Sequence, residues 1–251
     1  MEKRVYFWDQ LRGFAVFCMI FYHAFYSMAS MFLIDWANKL LMFFEPVEPL
    51  FAGLFIVISG ICTRFSRSNF LRGAKLLFIA LGISLVTNLF LPSQRIQFGI
   101  LHLLSCCMIF CDVLWPLLDK LPIYVNILVC CLFYLLTSQI SSGFIGLPFF
   151  RPIRFYLPHT LYQKEFLFSI GICTDKFYSS DYFPLLPWMF IFFLGVVIGR
   201  WFASIGYSSW MYKNYIPFFS FFGRYSLLTY LIHQPVIYVV LWAIFALKGG
   251  Q

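Results

Sequence analysis

The chain has 251 residues, of which 62% are hydrophobic, 22% aromatic and only 11% charged, and its mean hydropathy is +0.84. A soluble domain of this length does not combine so few charges with so many apolar side chains, so the composition excludes that class and indicates several membrane spans. The formal net charge of +8 lacks the clustering of a nucleic-acid-binding face, and no nucleic-acid partner is expected.

Apolar runs long enough to cross about 30 Å of hydrocarbon, or about 20 residues each, occur seven times. The first follows the charged MEKR, is too long for a signal-peptide core and has no small-residue cleavage site, so we predict a retained span. A weakly apolar stretch at 164–173 is interpreted as re-entering the membrane; if it crossed, there would be eight spans. The prediction is an all-α membrane bundle forming one domain, residues 1–251. The predicted spans are 11–33, 43–63, 72–91, 98–118, 122–139, 183–203 and 224–247.

The first predicted span carries a polar stripe, within DQLRGFAVFCMIFYHAF. Arg12 and His23 are eleven residues apart, which at about 100° per residue puts them within roughly 20° of each other, with Asp9 close to the same line. At about 1.5 Å per residue, His23 lies about 16 Å from Arg12, near the middle of the bilayer. A polar group at that depth is costly unless it faces protein or water, so His23 is a functional candidate, with packing as the alternative.

Basic residues favour one orientation of the spans. Eleven of the 18 Lys and Arg fall on the N-terminal side of the predicted membrane, four of them within ICTRFSRSNFLRGAK. Because cytoplasmic loops are enriched in Lys and Arg, we predict a cytoplasmic N-terminus and an extracytoplasmic C-terminus. The eleven residues are Lys3, Arg4, Arg12, Arg64, Arg67, Arg72, Lys75, Lys120, Arg200, Lys213 and Arg224.

Besides the first predicted span, the third and the last carry polar stripes, so the polar faces of these three helices could converge on one cavity. The fourth span carries His102 near its outer end. The alternative is that each side chain only hydrogen-bonds a neighbouring helix. The residues are Ser84, Thr87 and Asn88 in the third span, His102 in the fourth, and Ser226, Tyr230 and His233 in the last.

Cysteine does not indicate a metal site. Nearly all eight cysteines lie in apolar runs, where Cys behaves as a small hydrophobic residue. Cys106, Cys107 and Cys111 are close in sequence, but no His or carboxylate stands beside them at ligand spacing. Packing is therefore the preferred interpretation, and no metal is expected.

Five motifs occur in order along the chain: DQLRGFAVFCMIFYH, LFIVISG, FGILHLL, DYFPLLPW and GRYSLLTYLIHQP. Together they resemble the bacterial branch of the heparan-α-glucosaminide N-acetyltransferase catalytic-domain family, over nearly the whole chain. The spacing from Arg12 to His23 also resembles the signature of the related acyltransferase-3 superfamily. Both families are multi-span transferases that move an acyl group from cytoplasmic acyl-CoA to an acceptor, usually a sugar, on the far side of the membrane.

The resemblance implies an enzyme of the bacterial cytoplasmic membrane that uses acetyl-CoA as donor substrate to modify a glycan. Neutral imidazole titrates in the range that a general base for acyl transfer needs. His23 is expected to be this base or an acyl carrier, a role carried over from the acyltransferase-3 pattern. His233 and His102 are the other catalytic candidates, and His233, Tyr230 and Asn88 are candidate donors to the developing oxyanion.

Coenzyme A brings phosphates, which need cationic partners on the predicted cytoplasmic side. Asp9 is expected to support Arg12 by pairing with it. Ser59 and Gly60 would let the backbone approach the pantetheine arm, with tight helix packing as the alternative. That arm spans roughly 15–20 Å when extended, enough to reach mid-membrane. The candidate phosphate-binding residues are Arg12, Arg64, Arg67, Arg72 and Arg224.

The acceptor is expected to bind on the outer side, beside the long connection 140–182. Glu48, Asp181 and Asn88 offer hydrogen-bond partners there for a carbohydrate or a small amine or alcohol. The acceptor's identity, the acyl length, the choice between an acyl-enzyme and direct transfer, and the presence of a homodimer are left open.

Two other classes of membrane protein compete with the transferase. A proton-coupled transporter would also use intramembrane His and Arg, but the chain shows no internal inverted repeat. A structural membrane subunit is disfavoured because so many polar groups lie at depth.

Overall fold

The computed structural model describes residues 4–248; Lys3, one of the orientation residues, lies outside them. The described part of the chain is mostly helical and contains one small hairpin, β1 (Phe144–Gly146) with β2 (Arg154–Tyr156), in which Phe144 pairs with Tyr156. The α-helices of this part are α1 (Tyr6–Ser30), α2 (Asp35–Phe44), α3 (Glu48–Ile61), α4 (Asn69–Phe90), α5 (Ile100–Lys120), α6 (Ile123–Thr137), α7 (Leu185–Ile205), α8 (Pro217–Arg224) and α9 (Ser226–Lys248).

Within residues 4–248, seven helical segments are long and apolar enough to cross a membrane, which confirms the predicted all-α multi-pass bundle. They correspond to α1, α3 with the short 3-10 helix that follows it, α4, α5, α6 with its C-terminal extension, α7 and α9. α1 begins at Tyr6 and not near residue 11, so Asp9, Arg12 and His23 share one uninterrupted helix. Where the sequence predicted one span from residue 43, a turn at 45–47 separates α2 from α3. Pro46 lies in this turn and has no backbone N–H with which to continue the hydrogen bonds of α2.

The described residues form two compact units. The first unit contains residues 4–58 and 206–248, and the second contains residues 59–205, so the last turn of α3 belongs to the second unit. The prediction of a single domain over residues 1–251 stays a prediction.

In the first unit α1 packs against α2, α8 and α9. Its contact with α8 brings backbone against backbone: a Cβ at Gly13 would overlap the carbonyl oxygen of Phe219, and a Cβ at Gly223 would overlap that of Asp9. Only glycine leaves room for so close an approach. α8 was missed from the sequence, where residues 204–223 lie between two predicted spans and no helix was predicted for them.

The segment before α8 is tied to α1 by one side chain. The amide of Gln10 donates to the carbonyl oxygen of Lys213 at 3.2 Å and accepts the backbone N–H of Ile216 at 2.9 Å. Gln10 is buried, so these bonds satisfy an amide that burial would otherwise leave costly. The DQLRG stretch at the start of α1 is therefore also a docking surface for residues 213–223.

The second unit is built from α4 against α5, α5 against α7, and α6 against α7. Gly73 of α4 admits the carbonyl oxygen of Ser105 in α5, since a Cβ there would lie only 2.8 Å from it. Phe192, Leu103 and Val196 are fully buried and form part of the core. The apolar side chains of this core pack between the helices. The opposite faces of the same helices carry exposed leucines and phenylalanines, as expected of a lipid-facing surface.

The long connection between α6 and α7 is ordered by short 3-10 turns as well as by the hairpin. Arg154 stacks on Phe144 and donates to the carbonyl of Leu147, while the hydroxyl of Tyr162 donates to the carbonyl of Ile140. The stretch 164–173 contains one such turn, Glu165–Ile170. Its re-entry into the membrane stays a prediction.

Candidate functional site

Two histidines meet in the first unit. The imidazole rings of His23 in α1 and His233 in α9 lie 5.0 Å apart between centroids, inclined by 53°. His23 is half-buried, whereas His233 is only 7% exposed. The polar faces predicted for the first and last spans therefore converge on each other.

Hydrogen bonds from α9 hold both rings. Nδ1 of His233 lies 2.6 Å from the carbonyl oxygen of Tyr230, one turn earlier in α9. The amide Nε2 of Gln234 lies 3.3 Å from Nδ1 of His23. Nε2 of His233 is buried and has no hydrogen-bond partner within the described part of the chain. Gln234 was not singled out from the sequence, although it directly follows His233 in the IHQP motif.

At the other end of α1, Asp9 has an arginine partner. Nε of Arg4 donates to its carboxylate at 2.6 Å, an ion pair between partly exposed side chains. The predicted pairing of Asp9 with Arg12 stays a prediction. Arg12 is half-buried eleven residues before His23, and the uninterrupted helix separates the two by about 16 Å.

In the second unit His102 belongs to a different network. Its Nδ1 accepts the backbone N–H of Gly99 at 3.3 Å, so the neutral ring carries its proton on Nε2. That nitrogen lies 3.2 Å from the hydroxyl of Ser84 and must donate to it. Both ring nitrogens are occupied, and the residue is only 4% exposed. This arrangement favours the packing alternative for Ser84 and His102 over the catalytic role considered for His102.

Asp181 was expected as an exposed acceptor-binding carboxylate, and the expectation of exposure is wrong. The residue is only 8% exposed, and its Oδ2 accepts the backbone N–H of Ile100 at 3.2 Å. A carboxylate there satisfies an orphan N–H and complements the dipole at the start of α5. The lack of a side chain at Gly99 makes room for it. Sequence spacing gave no signal for this contact because the partners are 81 positions apart.

The predicted phosphate-binding residues differ in what they contact. Arg64 donates to Asp119 at 2.9 Å and stacks on Trp115, with its guanidinium carbon 3.6 Å from the ring centre. Arg67 is exposed and has no ion-pair partner among the residues the structure describes. Arg72, at the start of α4, and Arg224, at the end of α8, are exposed as well. Arg64 is therefore held by a carboxylate and an aromatic ring.

The backbone of α7 packs against Gly60, where the pantetheine arm of coenzyme A was expected to approach. A Cβ at Gly60 would overlap the carbonyl oxygen of Phe192, and Ser59 beside it is 6% exposed. This contact favours tight helix packing, the alternative left open above, as the reason for Gly60.

Of the remaining candidates, Glu48 is half-buried at the start of α3, and Asn88 is exposed near the end of α4.

Among the described residues, no group of three or more His, Cys, Asp and Glu side chains is arranged to hold a metal ion. The expectation of no metal stays a prediction. Cys107 and Cys111 are fully buried in α5, in agreement with packing. Outside the spans, burial raises the pKa of the Cys173 thiol, which lies 3.0 Å from the hydroxyl of Tyr182.

Residues 4–235 match the family described as heparan-alpha-glucosaminide N-acetyltransferase, catalytic. The matched range contains both histidines of the α1–α9 pair and every other predicted site residue. Comparison with curated proteins and with solved structures gives no match. A match over nearly the whole chain shows the family, and the seven apolar helices agree with it. The chain is therefore a multi-pass membrane member of the heparan-alpha-glucosaminide N-acetyltransferase catalytic family, a family of acetyltransferases.

Proposed function

We propose that the protein transfers an acetyl group from cytoplasmic acetyl-CoA to an amine or hydroxyl of a carbohydrate on the opposite side of a bacterial cytoplasmic membrane. The observation that carries the proposal is the pair of imidazoles, His23 and His233, 5.0 Å apart on two membrane-spanning helices. Acyl transfer needs a group that accepts the proton of the acceptor and a donor that stabilises the oxyanion. Two neighbouring imidazoles supply both kinds of group.

The length of α1 fits a donor that enters from the N-terminal end. Arg12 lies about 16 Å before His23 along the helix, and an extended pantetheine arm spans roughly 15–20 Å. A phosphate group near Arg12 would therefore allow the thioester to reach the histidine pair. Arg224 is a second cation in the same unit, and Arg67 and Arg72 are exposed cations of the second unit. The cytoplasmic location of these residues follows from the predicted orientation.

The acceptor would approach from the other end of α1. Glu48 begins α3 in the same unit and is the carboxylate we assign to hydrogen bonding with the acceptor. The family description names a glucosaminide, which favours a hexosamine whose free amine is acetylated. A sugar hydroxyl remains the alternative acceptor.

The test uses purified protein in proteoliposomes with radiolabelled acetyl-CoA outside and glucosamine enclosed. We expect labelled N-acetylglucosamine inside the vesicles, formed only when protein is present. Enclosed N-acetylglucosamine, which lacks the free amine, distinguishes hydroxyl transfer from amine transfer. The double variant His23→Ala/His233→Ala is the matched control. Binding of acetyl-CoA without product or thioester hydrolysis for every acceptor would contradict the proposal and favour the transporter or structural classes.

A further inference from the structure

The hydrogen bond of His233 determines which of its nitrogens can accept a proton. A carbonyl oxygen only accepts, so Nδ1 of His233, 2.6 Å from the carbonyl oxygen of Tyr230, must carry a hydrogen. In the neutral ring the lone pair is then on Nε2. This nitrogen is buried and has no hydrogen-bond partner among the described residues. The whole residue is only 7% exposed. His233 is thus oriented as a base, with its reactive nitrogen uncommitted.

The hydrogen bond of His23 gives the opposite result. Its Nδ1 lies 3.3 Å from the amide Nε2 of Gln234, and an amide nitrogen only donates. Nδ1 of His23 therefore accepts, and the neutral ring carries its hydrogen on Nε2. In this protonation state the remaining nitrogen of His23 is a hydrogen-bond donor.

From these two hydrogen bonds we infer that His233 is the general base of the acetyl transfer and that His23 is the oxyanion donor, the reverse of the roles expected from the sequence. The inference rests on the proposed function. Nε2 of His233 takes the proton of the acceptor's O–H or N–H, while the acceptor's lone pair forms a bond to the thioester carbon. Nε2–H of His23 donates to the thioester oxygen as charge develops there.

The same two residues complete the reaction. When the carbonyl re-forms, the C–S bond breaks, and its electron pair leaves with the sulfur of coenzyme A. The proton held by His233 passes to that thiolate, which restores the neutral ring. Meanwhile the Nδ1–H of His233 stays on the carbonyl of Tyr230. Because the ring centroids are 5.0 Å apart, two positive charges would repel strongly, so a neutral His23 suits a base that becomes positively charged.

The test replaces each histidine by glutamine, whose amide donates a hydrogen bond but does not take up a proton at neutral pH. His233→Gln should lower kcat by at least about 100-fold, the scale of losing a positioned general base. His23→Gln should stay within about 10-fold of the wild type because the amide replaces the donor. Acetyl-CoA binding and thermal stability are measured for both variants, and asparagine replaces glutamine where a variant does not fold. The reverse ranking, or two nearly unaffected variants, would overturn the inference.

A second measurement does not depend on turnover. Nitrogen NMR of protein labelled with ¹⁵N-histidine separates the two neutral forms, and single His→Gln variants assign the signals. We expect hydrogen on Nδ1 of His233 and on Nε2 of His23, and the opposite pattern would overturn the role assignment. If the wild type shows these forms yet transfers no acetyl group to any acceptor, the proposed function fails, and the role assignment fails with it.

Discussion

The guanidinium carbon of Arg64 lies 3.6 Å from the centre of the Trp115 ring, while the same side chain donates to Asp119 at 2.9 Å. Arg200 reinforces this cluster by donating to the carbonyls of Leu118 and Leu121 at the end of α5. Four positive charges in residues 64–75 suggested a uniform phosphate-binding set. The structure divides that set into a packed arginine and exposed ones.

Arg67→Gln and Arg64→Gln should therefore have different effects. We expect Arg67→Gln to weaken acetyl-CoA binding, measured by calorimetry at two salt concentrations, because an exposed cation contributes through screened electrostatics. Arg64→Gln should mainly lower the melting temperature, by about 2–4 °C for each kcal/mol lost from the stacking and the ion pair.

Lys75→Gln is the control for charge alone, since this residue is an exposed cation in the body of α4. A loss of affinity for Lys75→Gln equal to that for Arg67→Gln would show a diffuse field instead of a site. Unchanged affinity for Arg67→Gln would leave that residue as an orientation signal only.

Gly13→Ala should destabilise the protein because its Cβ would overlap the carbonyl oxygen of Phe219. Overpacking of this kind costs about 1–3 kcal/mol, seen as a lower melting temperature in detergent. Gly82→Ala in α4 is the matched control, since a Cβ there meets no atom within 4 Å. Equal stability of the two variants would contradict the close contact between α1 and α8.

Ser84→Ala should leave kcat within about threefold of the wild type, since Nε2 of His102 donates to this hydroxyl and cannot activate it as a nucleophile. His102→Ala should lower the melting temperature more than Ser84→Ala, because it also leaves the N–H of Gly99 without its acceptor. Turnover and thermal stability are measured together. A loss of 100-fold or more in kcat for a stable Ser84→Ala variant would instead support a catalytic role for His102, with Ser84 as its partner.

Asp181→Ala and Glu48→Gln separate the two carboxylates that were predicted to bind the acceptor. Asp181→Ala removes the carboxylate that accepts the backbone N–H of Ile100 at the start of α5, which should cost roughly 0.5–2 kcal/mol of stability. The KM for the acetyl-accepting substrate should not change specifically. Glu48→Gln should raise the acceptor KM more than the acetyl-CoA KM. Steady-state kinetics with each substrate varied in turn measures both. An increase in acceptor KM for Asp181→Ala alone would reverse the assignment.

The membrane class and the seven spans were readable from the sequence because a crossing helix must be both apolar and about 20 residues long. The helical spacing of Arg12 and His23 was equally readable, since side-chain direction repeats every 3.6 residues within one helix. Span boundaries were less certain. Charged residues such as Asp9 lower the hydropathy of a first turn without ending the helix.

The short helix α8 and its contact through Gly13 and Gly223 were not readable, because backbone proximity between distant segments leaves no periodic signal. The same limit applied to Gln10, whose partners lie more than 200 positions away. Nor could spacing show whether an arginine binds a ligand or already pairs with Asp119.

The sequence by itself determined that this is a multi-span membrane protein with histidines in its predicted spans. Hydrophobic length and helical periodicity are properties of consecutive residues, so they can be recognised without knowing the tertiary structure. The sequence also carried the family match. Only the tertiary structure decided that His23 pairs with His233, that His102 is enclosed with Ser84 and Gly99, and which ring nitrogen carries a hydrogen. Each outcome depends on a carbonyl, amide or N–H group that lies within about 3 Å of a histidine ring and belongs to another turn or another helix. Packing sets these distances.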